Sequence, residues 1–127
     1  MSSEAKSFLN SLDACKLDEV SDFLSAHSDS LTPLSCRLES FIESESDLIL
    51  RRPIELKIRY EDSLFIIENE MFNLFSYANN LKDALLDLER HFSFLWKEYA
   101  MEKDCNLTLE SIQLKKKLNE YLEMNIV

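Results

Sequence analysis

Residues 60–99 read YEDSLFIIENEMFNLFSYANNLKDALLDLERHFSFLWKEY, and the spacing of apolar residues within them decides what fold the sequence suggests. Tyr60, Leu64, Ile67, Met71, Leu74, Ala78, Leu81, Leu85, Leu88, Phe92, Leu95 and Tyr99 recur at alternating steps of four and three. At 3.6 residues per helical turn, these side chains fall along one seam. The opposite positions, Asp62, Asn69, Ser76, Asp83, Arg90 and Lys97, are polar. The spacing therefore predicts a heptad helix with a solvated back, packed against other helices.

Outward from this stretch the expected helix grows. It starts at Pro53 or Ile54 and extends to about Lys103. Asn79-Asn80 is its weakest point, where Asn80 is able to cap a fresh helix, but the heptad phase crosses the pair unchanged. Phe65, Phe72 and Leu86 flank the seam on one side, and Phe75 and Trp96 on the other, with Phe94 and Ile66 further round. So wide an apolar arc calls for several packing neighbours.

The remaining segments read as shorter helices. Residues 4–27 carry Phe8, Leu12, Val20 and Phe23 or Leu24 in a stripe that Lys16 interrupts, so two short helices are an alternative there. Thr32-Pro33 has the form of a helix start, and Leu34, Leu38, Phe41, Ile42, Leu48 and Ile49 follow at helical spacing to about Leu50. Arg51-Arg52-Pro53 is a break. Asp104-Cys105-Asn106 is a second break, followed by a stripe of Leu107, Leu114, Leu118 and Tyr121. The expected architecture is all-α: one elongated helical bundle or coiled coil over 1–127, with helices at about 4–27, 33–50, 53–103 and 107–124.

Composition supports that expectation and narrows function. The chain has 127 residues, 46% of them hydrophobic, and no glycine. Without glycine there is no phosphate-cradling loop, no Rossmann turn and no nucleophile elbow, and tight Asn-Gly hairpins are missing. The net charge is −10 and the sequence pI about 4.6, which opposes phosphate backbones and anionic lipid heads. Residues 1–50 hold three Lys/Arg against ten Asp/Glu, so a charged partner of that segment would be basic. Cys15, Cys36 and Cys105 form no C-x-x-C pair and read as free thiols in a reducing compartment. No signal peptide or membrane span is visible, and the expected location is intracellular, cytoplasmic or nuclear.

Candidate chemistry is sparse. His91 flanks the seam, His27 lies in a polar segment, and neither is preceded by the glutamate of a Glu-x-x-His metal motif. No catalytic, cofactor or metal residue is expected. Arg51, Arg52, Lys57 and Arg59 cluster at one break, and Lys115-Lys116-Lys117 form a second basic run. Asn106-Leu107-Thr108 matches the glycosylation sequon by chance. Ser40 and Ser44 precede Glu43 and Asp47 by three, the spacing of acid-directed phosphorylation sites.

The leading expectation is a non-enzymatic structural or adaptor subunit of a homo- or hetero-oligomeric assembly. It would act by helix packing through Tyr60, Leu64, Ile67, Met71, Leu74, Leu81, Leu85, Leu88, Phe92, Leu95 and Tyr99. Phe65, Phe72, Phe75, Phe94 and Trp96 would extend that interface. The alternative is a peripheral lipid- or nucleic-acid-associated helical module using Arg51, Arg52, Lys57, Arg59 and Lys115–Lys117.

Overall fold

The computed structural model describes residues 11–12, 17–26, 33–41 and 48–124. Its elements, in chain order, are β1 (Ser11–Leu12), α1 (Leu17–Ala26), β2 (Leu34–Leu38), β3 (Leu48–Leu50), β4 (Ile54–Glu61), β5 (Leu64–Asn69) and β6 (Leu74–Ala78), then α2 (Leu81–Leu95), α3 (Leu109–Tyr121) and β7 (Leu122–Met124). Five strands form one sheet in the order β1-β2-β4-β5-β6, antiparallel except for the β1–β2 pair. Strands β3 and β7 form a separate antiparallel pair.

This corrects the all-α expectation: the protein is mixed α/β, neither a helical bundle nor a coiled coil. The expected helix over 53–103 is three antiparallel strands followed by a helix. In β4 the chain alternates Ile54, Leu56 and Ile58 inward with Glu55 and Lys57 outward, the period of two of a half-buried strand. In β5, Phe65, Ile67 and Asn69 are buried in the same alternation. The four-three spacing of Leu64, Ile67, Met71, Leu74 and Ala78 arises because two hairpin turns shift the strand phase. Residues from both sheet faces and from a turn then fall on helical numbers.

The turns also explain why the lack of glycine does not exclude hairpins. Asp62 and Ser63 join β4 to β5 with φ of 52° and 64°, and Asn73 in the β5–β6 turn has φ 53°. Two consecutive positive φ values are those of a type I′ turn. Asp and Asn tolerate the left-handed region better than other non-glycine residues, because their short polar side chains hydrogen-bond locally. Asn69 holds the second turn. It accepts from Phe72 N–H at 2.8 Å and donates to the Glu55 carbonyl at 2.9 Å.

The expected helix over 33–50 is corrected as well. The described part consists of strands β2 and β3, and Pro33 leads into a strand. Of the expected helix over 4–27, residues 17–26 are helical, while Ser11 and Leu12 pair with Arg37 and Leu38 as strand. Thr32, His27, Cys15 and Ser44 lie outside the described residues.

Parts of two expected helices are helical: residues 81–95 of the stretch 53–103, and residues 109–121 of the stretch 107–124, whose residues Leu122–Met124 are strand β7 instead. Asn80 caps α2 by accepting from Asp83 N–H at 2.8 Å, so the chain divides at the expected weak point. Trp96–Ala100 prolong α2 as a π-helical turn, and Asp104–Asn106 form a 3₁₀ turn at the expected second break. Thr108 caps α3 by accepting from Ser111 N–H at 3.1 Å.

The inner face of the sheet, α1 and α2 enclose one continuous core. Leu81, Leu85, Leu88 and Phe92 of α2 share one buried cluster with Ile58, Phe65 and Ile67 of the sheet and with Val20 and Leu24 of α1. Phe92 meets Phe72 edge-on at 5.3 Å between centroids. Ser76, buried on β6, donates from its hydroxyl to the Ala84 carbonyl at 2.7 Å and ties the strand to α2.

Candidate protein-interaction edge

Strand β6, Leu74-Phe75-Ser76-Tyr77-Ala78, is the last strand of the five-stranded sheet. Which of its backbone groups face outward follows from the first hairpin. A two-residue turn closes on a hydrogen-bonded pair, here Glu61 opposite Leu64. Hydrogen-bonded pairs alternate along the ladder, so Leu64, Ile66 and Glu68 bond toward β4, and Phe65, Ile67 and Asn69 bond toward β6. Their partners on β6 are Ala78, Ser76 and Leu74. The N–H and C=O groups of Phe75 and Tyr77 are left pointing away from the sheet.

The side chains of the same two residues lie on the outer face and are 56% and 58% exposed. Their rings stack at 5.9 Å. Half-buried Leu64 and Ile66 continue this apolar surface on β5. Toward β2 the face becomes ionic: Lys57 lies 2.6 Å from Glu70, and Arg59 lies 3.3 Å from Glu61 and 3.1 Å from Glu68. The hydrogen bond with Glu70 is the main cause holding the Lys57 pKa above its ordinary value, and the same bond holds Glu70 below the usual carboxylate value.

Among the described residues no strand pairs with β6 on its other side, and along that edge runs a groove of about 670 Å³ between β6 and α2. Its strand wall is Phe75–Ala78, and its helix wall is Asp83, Leu86, Asp87, Arg90 and His91. Asp87 and His91 sit 3.6 Å apart on adjacent turns. The helix wall is acidic at its N-terminal end and basic at its C-terminal end.

The expected seam is distributed over several surroundings. Leu81, Leu85, Leu88 and Phe92 are buried in the chain's own core, and Leu95 and Tyr99 are half-buried against it. Tyr60, Leu64, Ile67 and Leu74 lie in strands, and Met71 is on the β5–β6 turn, 45% exposed. Of the flanking set, Phe65, Phe72 and Trp96 are buried, whereas Phe75 and Phe94 are exposed. Tyr77 was not among the expected interface residues. The signal that marks it is Phe75-Ser76-Tyr77 alternating between turn residues Asn73 and Asn79-Asn80.

The two basic clusters are partly brought together. Arg51, Arg52, Lys115 and Lys116 line one shallow cleft of about 570 Å³, with Asp104 and Glu120 also on its wall. Arg51 donates to the Asn119 carbonyl at 2.9 Å, and Lys115 to the Glu102 carbonyl at 2.6 Å and to Asp104 at 2.9 Å. The Arg52 guanidinium stands 5.7 Å from the centre of the Tyr121 ring. Lys57 and Arg59 belong to the sheet's outer face instead, and Lys117 is exposed on α3 outside the cleft. Glu102 is held below the usual carboxylate value, first by the hydrogen bond from the Asn106 side chain and then by the Lys103 N–H.

Cys36 is buried on the inner face, and desolvation pushes its thiol up to about 12. Cys105 is exposed and free. Among the described residues, no three His, Cys, Asp or Glu side chains are grouped to hold a metal ion, and no helix is long and apolar enough to cross a membrane. Comparison with protein-family models, with curated proteins and with solved structures finds no match to this chain.

Proposed function

We propose that the protein is a non-enzymatic assembly subunit that binds another polypeptide by extending its sheet at β6. The observation that carries this reading is the coincidence of outward-pointing backbone groups and exposed aromatic side chains on Phe75 and Tyr77. An added strand gains main-chain hydrogen bonds at those two residues, and its own alternate side chains cover the Phe75–Tyr77 surface. Proteins usually protect an open edge with lysine, proline or a bulge, and the sequence of β6 contains no lysine and no proline. Association therefore runs through a strand edge, not through the helical seam that the sequence pattern suggests.

Placing a photo-crosslinking phenylalanine analogue at position 77, with position 117 as control, tests the proposal. Adducts to a polypeptide at 77 but not at 117 are the expected result. Equal recovery of unmodified chain at both positions would refute it. A second reading, anion or phosphate contact by the Arg51-Arg52-Lys115-Lys116 cleft, is favoured by the meeting of two basic segments distant in sequence. It predicts salt-sensitive binding to anionic vesicles or nucleic acid that Lys116→Glu abolishes.

A further inference from the structure

We infer that the polypeptide received at β6 is a basic one: an extended segment in which lysine or arginine alternates with apolar residues. This rests on the proposed use of the β6 edge and names the chemistry of its partner. After β6 the chain turns at Asn79-Asn80, and α2 runs back beside the strand with the Ser76 hydroxyl bonded to the Ala84 carbonyl at 2.7 Å. That bond sets Ser76 level with the N-terminal part of the helix wall. Asp83 and Asp87 lie one residue before and three residues after Ala84, about 1.5 and 4.5 Å along the helix axis. Both fall within the length of Leu74–Ala78, which reaches about 6.6 Å to either side of Ser76. Arg90 and His91 lie about 9–10.5 Å beyond Ala84, past Leu74 and outside the pairing edge. Where an added strand pairs with β6, the charged groups on the helix wall are therefore two carboxylates.

An added strand has the spacing to meet them. Its side chains alternate, so those opposite Phe75 and Tyr77 lie on the outer face and those between them point into the groove. Groove-side residues i and i+2 are about 6.7 Å apart, and Asp83 and Asp87 are about 6 Å apart along the axis of α2. Two lysines or arginines at i and i+2 each face one carboxylate, with their aliphatic stems along Leu86. Both carboxylates have room for a cation. Asp83 accepts from the Asn80 side chain at 2.9 Å and Asp87 stands 3.6 Å from His91, whereas an ionised carboxylate offers about four lone-pair sites. Apolar residues at the alternate positions cover the exposed rings of Phe75 and Tyr77. The net charge of −10 attracts a basic segment at long range and repels an acidic one. A second β6 strand would bring Leu74, Ser76 and Ala78 to the groove, none of them cationic, and would leave both carboxylates unmatched.

Fluorescence anisotropy of three labelled peptides, titrated with the full chain, tests this. Each peptide has about seven residues and blocked ends, and alternates valine with lysine, with threonine or with glutamate. The lysine peptide is expected to bind about tenfold more tightly than the threonine peptide, and the glutamate peptide not to bind. Asp87→Lys should weaken the lysine peptide by about tenfold and admit the glutamate peptide. Asp22→Lys, the same charge change at an exposed residue of α1, should do neither. Asp83→Asn, which keeps an acceptor for Asn80, should weaken the lysine peptide as well. N-methylation of alternate residues of the lysine peptide should abolish binding in one set and spare it in the other, because only one set turns its N–H groups toward β6. Equal binding of the three peptides, equal effects of Asp87→Lys and Asp22→Lys, or indifference to both N-methyl sets would each overturn the inference. Absence of peptide binding, with adducts still formed at position 77 to another protein or to a second copy of the chain, would overturn it while leaving the β6 reading intact. Absence of both binding and adducts would overturn both.

Discussion

Replacing Asp62-Ser63 by Asn-Gly tests the hairpin on which the β6 edge depends, and the sign of its effect is diagnostic. Both residues have positive φ, 52° and 64°. A left-handed conformation costs a residue with a Cβ about 1–2 kcal/mol, less for Asp or Asn, and Ser63 bears that cost in full. Glycine at 63 removes it but frees the unfolded chain by about 0.4–1 kcal/mol. Asparagine at 62 suits the first position of a type I′ turn. The net expectation is a gain of about 0.5–1 kcal/mol. If residues 60–78 were helical, the same change would place glycine in a helix interior and lose about 0.5–1 kcal/mol. For a domain of this size, 1 kcal/mol moves Tm by about 3–5 °C. Thermal and urea unfolding, followed by circular dichroism, resolve that difference. Ser63→Val serves as the converse, because a β-branched residue at positive φ is strained, and it should destabilise by about 1–2 kcal/mol. A lower Tm for the Asn-Gly variant, or no loss for Ser63→Val, would refute the turn.

Further outcomes follow from particular contacts. Asn69→Ala leaves the buried Phe72 N–H and the Glu55 carbonyl without their partner and should cost about 2–4 kcal/mol in chemical unfolding. Asn80→Ala removes the α2 cap and should cost about 1 kcal/mol, read as a lower urea midpoint at unchanged m-value. Peptide mapping after brief alkylation of the native chain should find Cys105 modified and Cys36 intact, since Cys36 is buried with its pKa pushed up to about 12. The Cys36 thiol ionises in the unfolded chain near its ordinary value of 9.0 but not in the folded one. Its contribution to stability is therefore full below that pH and is lost as pH rises toward 12. Cys36→Ala should flatten the alkaline limb of the stability profile.

The helices were legible in the sequence where local signals and tertiary packing agree. Asn80 and Thr108 have cap chemistry, and Leu81, Leu85, Leu88 and Phe92 have helical spacing on a segment whose other face is polar. The strands were written as plainly in Ile54-Glu55-Leu56-Lys57-Ile58-Arg59-Tyr60, where alternation is strict and β-branched or aromatic residues abound. A longer heptad beginning at Tyr60 masked it. That heptad survives through 64–78 only because the Asp62-Ser63 turn and the 70–73 turn reset a period of two onto steps of three and four. The lack of glycine pointed away from hairpins, but aspartate, serine and asparagine take the left-handed positions here. Phe75 was visible as a surplus aromatic, yet its role as half of an edge pair with Tyr77 requires the strand order, which periodicity does not contain.

The most direct test is the set of cross-strand Hα–Hα contacts between β5 and β6, measured by nuclear Overhauser effects on the labelled chain. In an antiparallel ladder, only non-hydrogen-bonded pairs bring their Cα atoms to about 4.5 Å. Strong contacts are predicted for Ile66 with Tyr77 and for Glu68 with Phe75, and weak ones for Ile67 with Ser76. That pattern means Phe75 and Tyr77 turn their backbone groups outward. A reversed pattern, or a run of sequential amide–amide contacts through 60–78 typical of a helix, would contradict the open edge.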